Sequence, residues 1–257
     1  MIDSENVKFL LGDVCSSVTL AMQPIFEDSD VLLVNAASLN PQITYQAGVT
    51  ATSGHSAITS PRRSAHVPCK PYAYKKRGFT KFAVLSVASD FGRGAVNLAK
   101  KYLPEFKGEI ISEDYYKDGE VGFRSVLAKI RNSGAQAIII MYGLGETTPV
   151  IGRQMIEQGL AGKIPVIGDS EFNAANTIKA APQAMEGAIQ AIFWLPSLQT
   201  ERSLNFVENY KKEYGGEQPN NHAYSSLGEH PPAGRSHEGC QKQLSRDRSR
   251  RTQDYKV

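Results

Sequence analysis

Histidine and cysteine are the side chains here best suited to hold a metal, and they recur as two His-x-x-Cys pairs, His66/Cys69 and His237/Cys240. Four such ligands can bind zinc tetrahedrally. Neither pair adjoins a hairpin or helix signal, and 167 residues separate them, so no metal centre is expected. The glycine-bearing turns SDFGRGAVN (89–97) and YGLGETT (142–148) lack the third glycine of a dinucleotide-binding fingerprint, and no Gly-Lys-Ser/Thr phosphate loop occurs. No cofactor is therefore expected. There is no Gly-x-Ser-x-Gly elbow, and no histidine in the organised core, about 79–215, to act as its base. Asp169 and Glu171 are a carboxylate pair with the composition for acid–base work, but a solvated or ligand-facing role fits them better. The residues do not describe an enzyme.

A different chemistry is carried by small polar groups at recurrent positions. Cys15–Thr19, Asn35–Thr44, Ser89–Gly92, Tyr142–Thr147 and Asp169–Asn173 each follow a short apolar run. Cys15, Ser16 and Ser17 lead directly into a helical pattern, an arrangement that points backbone N–H groups and a hydroxyl at an anion such as a carboxylate.

The elements that position these loops are legible from periodicity. The apolar runs KFAVLSVA (81–88), QAIIIMY (136–142), IPVIG (164–168) and GAIQAIFW (187–194) predict buried strands. Between them lie helical patterns at 93–104, 119–133 and about 147–160; in the second, Phe123, Val126, Leu127 and Ile130 share a face and Gly134 stops the helix. The N-terminal piece adds VKFLLG as a strand, 17–29 as a helix and VLLVN as a strand. Buried strands alternating with helices predict an α/β fold with a parallel sheet covered on both faces. Ligands of such sheets bind beyond the carboxyl ends of the strands, where the polar loops lie.

Two segments break the pattern. Residues 50–70 contain only Ile58 and Val67 as larger apolar residues, and 225–257 is equally poor. Neither buries enough surface to offset its ordering entropy. Each carries +3 of the net +3 charge, leaving −3 on the organised remainder, so no basic face for nucleic acid is expected. No apolar run approaches the roughly 20 residues that span a bilayer. The start, MIDSENVKFLLGD, has none of the parts of an export signal, so the chain as written is expected to stay in the cytoplasm.

The stretch GDVCSSVTLAMQPIFEDSDVLLVNAASLNPQIT (12–44), with its Cys-Ser-Ser turn and Ala-Ala-Ser-x-Asn-Pro-x-Ile-Thr loop, resembles the leucine/isoleucine/valine-binding protein family, type I periplasmic solute-binding proteins of ABC transporters. AYKKRGFTKFAVLSVASDFGRG (73–94) carries the family's strand followed by Asp-aromatic-Gly-x-Gly, and FRSVLAKIRNSGAQAIIIMYG, RQMIEQGL, IPVIGDSEF and YKKEYGGEQPNNHAY continue the match in order. The resemblance covers about 12–48 and 71–224.

It implies a two-lobed clamshell closing on a small amino acid or amide, delivered to an ABC permease of the branched-chain type, with a periplasmic or extracellular setting. Ser16 and Ser17, with the backbone of Ala37, Ser38 and Leu39, match the ligand-holding positions of lobe one. On lobe two Phe91 matches an aromatic that closes over the ligand, Leu144, Gly145 and Glu146 match a contact loop, and Asp169, Ser170 and Glu171 fall where an acid pairs the ammonium. Relatives also bind amides, urea or aromatic acids. Leu39 stands where relatives often have a hydroxyl, so its contact is expected through the backbone. The expected organisation is a partial lobe one at 1–49, an irregular segment at 50–70, lobe two at 71–222 and an irregular basic tail at 223–257. The family pattern lapses over 50–70 and after Tyr224, which suggests out-of-frame translation; the other two reading frames should then yield apolar, helix-like sequence there. High-affinity binding by a lobe one so reduced is not expected. An alternative on the same fold is a cytoplasmic small-molecule sensor, which would account for the missing leader.

Overall fold

The computed structural model describes residues 7–27, 29, 31–35, 38–43, 45–46, 49–50, 76–142, 147–168, 172, 175–190 and 194–228. Most of the irregular 50–70 segment, the tail beyond Gly228 and both His-x-x-Cys pairs lie outside these residues. Among the described residues no group of metal-ligating side chains forms and no helix is long and apolar enough to cross a membrane.

The N-terminal part forms a strand, helix and strand: β1 (Phe9–Leu11), α1 (Ser16–Glu27) and β2 (Leu32–Val34). The two strands pair in parallel, with Phe9 opposite Leu32 and Leu11 opposite Val34. Phe26, Val31 and Leu33 are buried beneath them, with Val7, Leu10 and Met22 packed alongside. A 3-10 turn at Pro41–Ile43 follows, then a small antiparallel pair, β3 (Tyr45–Gln46) with β4 (Val49–Thr50).

The larger sheet contains β5 (Lys81–Val87), β6 (Glu109–Tyr116), β7 (Ala137–Met141), β8 (Val166–Gly168) and β9 (Ile189–Gln190). All are parallel, in the spatial order β6-β5-β7-β8-β9. Both faces are covered, which is why β5 and β7 read as continuous apolar runs rather than alternating ones. On one face Ala83, Leu85, Ile138 and Ile140 pack with Leu127 and Ile130 of α3 (Arg124–Arg131) and Ile151 and Met155 of α4 (Thr147–Glu157). On the other, Phe82, Val84, Ile139 and Met141 meet Ala95, Val96 and Ala99 of α2 (Asp90–Tyr102). A short α5 (Ala175–Ala180) lies between β8 and β9 in the chain.

The parallel α/β architecture agrees with the sequence expectation, and two details correct it. The pattern at 119–133 is helical only from Arg124, because Gly119 takes a left-handed conformation (φ 80°) and the Glu120 carboxylate accepts from the Val121 and Gly122 N–H groups. Gly134, at φ 81°, follows that helix as expected. Strand β6 has no counterpart among the four apolar runs. It is an edge strand, half exposed, and its polar centre is tied down by Lys100–Glu113 and Lys129–Asp114 ion pairs. Beside them the Tyr115 hydroxyl donates to Glu113, and burial together with that neighbour pushes its phenol up to about 12.

The chain divides into two compact units, Met1–Leu195 and Pro196–Val257. The second holds α6 (Glu201–Glu213) and α7 (Asn221–Gly228), joined through rings: Phe206 lies 5.4 Å from Tyr224 and 5.7 Å from Tyr210. Helix α7 continues to Gly228, so the backbone of 223–228, expected as irregular tail, is helical.

Candidate functional site

Strand order fixes where an open parallel sheet can hold a ligand. The connection leaving the carboxyl end of β5 runs to β6 on one side, while the one leaving its neighbour β7 runs to β8 on the other, so a crevice opens between the carboxyl ends of β5 and β7. The residues at the end of β5 are Ser89, Asp90 and Phe91. Ser89 caps α2, its hydroxyl accepting from the Gly92 N–H at 3.3 Å. Phe91 is partly buried and packs on the apolar clusters of both sheet faces. Gly92 is required by close approach: a Cβ there would collide with the Val87 carbonyl oxygen and stand 2.6 Å from Ser86 Oγ. At the end of β7, Tyr142 is buried and stacks on Phe172, ring centroids 5.3 Å apart and 11° from parallel.

Against this rim sits a hydrogen-bonded knot from the N-terminal part. The inward face of α1 is polar over its first part, where Ser16, Thr19 and Gln23 are buried, before Phe26 carries it into the small core. Ser16 Oγ accepts from the Leu39 N–H at 3.3 Å and the Asn40 N–H at 3.2 Å. Ser38 Oγ donates to the Asp13 carbonyl at 2.6 Å and shares a 2.6 Å hydrogen bond with Thr19 Oγ1, which also reaches the Cys15 carbonyl at 3.2 Å. Gln23 Nε2 donates to the Ile43 carbonyl at 2.7 Å. The Asn35 amide closes the loop from behind, Oδ1 accepting from Ser38 N–H and Nδ2 donating to Ser38 carbonyl, each at 2.9 Å. The loop is held from several sides, as buried polar groups require.

At the head of α1 the Asp13 carboxylate accepts from the Val14 and Cys15 N–H groups. The Thr19 N–H returns to the Cys15 carbonyl at 3.0 Å, so Ser16, Ser17 and Val18 present the N–H groups that a helix cannot satisfy internally. The Ser17 hydroxyl, partly exposed, has no hydrogen-bond partner among the described residues. This end of α1 can receive an anionic oxygen.

Of the residues expected at a binding site, Ser16, Ser17, Ser38 and Leu39 are brought together at the head of α1. Phe91 stands across from them, one residue beyond Asp90, whose carbonyl accepts from Asn40 Nδ2 at 2.6 Å. Ala37, Leu144, Gly145, Glu146, Asp169, Ser170 and Glu171 lie outside the described residues. Thr19, Asn35 and Asn40 build the knot; the sequence places them in the polar loops Cys15–Thr19 and Asn35–Thr44 but gives them no contact of their own. The signal for Asn35 and Asn40 is Asn-x-x-Ser-x-Asn-Pro, whose short side chains fold back on their own backbone.

The family model described as Periplasmic binding protein matches residues 1–227. An amino acid binding protein of Pseudomonas aeruginosa is 23% identical over 230 residues, 88% of this chain and 59% of that protein. Leu/Ile/Val-binding protein homolog 1 of Brucella suis is 25% identical over 186 residues, 72% of this chain and 48% of that protein. The structure of a leucine binding protein, LivK, from Thermotoga maritima superposes with a TM-score of 0.75 at 24% identity, covering 89% of this chain and 63% of that one. The chain thus spans about half to three-fifths of the curated relatives it matches. With the parallel sheet, the polar helix head and the match over 1–227, the chain belongs to the periplasmic binding protein family.

Proposed function

We propose that this chain is the substrate-binding component, or a part of it, of an ABC transporter for a branched-chain amino acid or a related small amino acid or amide. The observation that carries the reading is the head of α1 facing the switch point of the large sheet, with Asn40 and Asp90 in contact between them. A ligand carboxylate meets the N–H groups at Ser16–Val18 and the Ser17 hydroxyl, and the Phe91 ring closes the opposite side. Ala37, Ser38 and Leu39 contribute backbone, Gly145 and Glu146 a further contact loop, and the segment with Ser170 and Glu171 the acid that pairs the ammonium. The permease of the same transporter is the partner, and the periplasm or outer cell face the setting. No reaction is assigned to the chain.

Among the described residues two parallel strands back α1, against five in the large sheet. We expect binding by the 257-residue chain to be weak, with a Kd of about 1 mM, roughly −4 kcal/mol. Calorimetric titration with L-leucine, L-isoleucine, L-valine and benzoate tests this. Saturable binding of the aliphatic amino acids in that range, and none of benzoate, supports the reading. Preference for benzoate, or no saturable binding of any amino acid, overturns it.

A further inference from the structure

Asn40 is 5% exposed and every polar part of it is engaged. Its N–H donates to Ser16 Oγ, its Oδ1 accepts from the Gln42 N–H at 2.8 Å, and its Nδ2 donates to the Asp90 carbonyl. The last bond crosses 50 positions in the chain and joins the knot on α1 to the first turn of α2. The α2 surface is shaped for it: a Cβ at Gly94 would stand 3.1 Å from Asn40 Nδ2 and 3.2 Å from its Cγ. An alanine there must push the amide away, since the helix backbone cannot yield.

We propose that Asn40 is a positioning residue of the binding seam, a latch that holds the Ser38–Asn40 loop in register with the Asp90–Phe91 turn through its amide and the Asp90 carbonyl. The inference rests on the solute-binding reading for its consequence and on hydrogen bonding alone for its mechanism. Leu39 and Phe91 are each one residue from an end of the latch, so breaking it releases both ligand-facing segments from one another. Apparent affinity falls with the fraction of molecules in which the two are held together.

Asn40→Asp separates the two roles of the side chain. Its Oδ1 still accepts from Gln42, but an oxygen replaces the donor and faces the Asp90 carbonyl, acceptor against acceptor. Hydrogen exchange on the full 257-residue chain without ligand reads the latch directly. In N40D the amides of Gly92 and Arg93, bonded within α2 to Ser89, are expected to exchange about fivefold faster while those of β7 are unchanged. A purely local role of Asn40 leaves Gly92 and Arg93 as they are, and that result overturns the proposal. Should N40D disturb its own loop outright, Gly94→Ala, which keeps every atom of Asn40, carries the same readout. In L-leucine titrations each variant is expected to weaken binding about fivefold, and the double variant no further. Independent, multiplying effects overturn the latch. If the unaltered chain binds no leucine, the solute-binding reading fails while the exchange result still decides the latch.

Discussion

A serine hydroxyl carries one proton and two lone pairs, and at Ser16 the lone-pair side faces two backbone N–H groups, those of Leu39 and Asn40. Ser17, the next residue, is turned about 100° around the helix and is partly exposed. The two serines are thereby separable by mutation. Ser16→Ala leaves the part-buried Leu39 and buried Asn40 N–H groups without their acceptor and is expected to cost about 1–3 kcal/mol, read by urea denaturation. Ser17→Ala is expected to change stability by no more than about 0.5 kcal/mol, yet to weaken leucine binding about tenfold if its hydroxyl meets the carboxylate. Equal stability losses in both variants would contradict this division. In the sequence the Cys-Ser-Ser turn was visible as a helix head, but the division was not. It depends on the 38–40 loop, which returns more than 20 residues later.

Among the elements, α1 shows most clearly how hydrogen bonding overrides apolar periodicity. Val18 and Ile25 are exposed, 44% and 60%, while Ser16, Thr19 and Gln23 point inward to the loop they hold. The existence of that helix was legible, but not which face turns in, because the deciding partners are carbonyl and N–H groups without a sequence signature. Strand β6 escaped notice for a related reason, since an edge strand with Glu113 and Asp114 at its centre lacks the apolar run of a buried one. The β5–α2 junction, by contrast, was marked by its glycines. Gly92→Ala drives a methyl into the Val87 carbonyl, a backbone atom that cannot rotate away. A loss of about 1–3 kcal/mol is expected in chemical denaturation. Gly122→Ala is the control: its methyl would meet nothing nearer than a Glu120 side-chain oxygen at 3.4 Å, and a change within about 0.5 kcal/mol is expected. If both variants cost the same, close packing at the junction is not what requires Gly92.

For the whole molecule, alternating apolar runs and helical periods sufficed for a parallel sheet covered on both faces. Spatial order is another matter, since β5 comes first in the large sheet's chain order and lies between β6 and β7 in space. That order puts the crevice at Ser89–Phe91, and periodicity along the chain does not encode it. The same architecture implies uneven stability. The large sheet has an apolar cluster on each face, whereas the pair β1–β2 rests on Phe26, Val31 and Leu33 with a few partly buried neighbours. Its amides are therefore expected to exchange through partial opening, at least about tenfold faster than those of β5 and β7, which require global unfolding. A ligand that spans the seam binds only when the small sheet is formed. Leucine at ten times its Kd should then stabilise β1–β2 by about 1.4 kcal/mol and slow their exchange about tenfold. Protection confined to the large sheet would place the ligand elsewhere on it, and would remove Ser16 and Ser17 from the site.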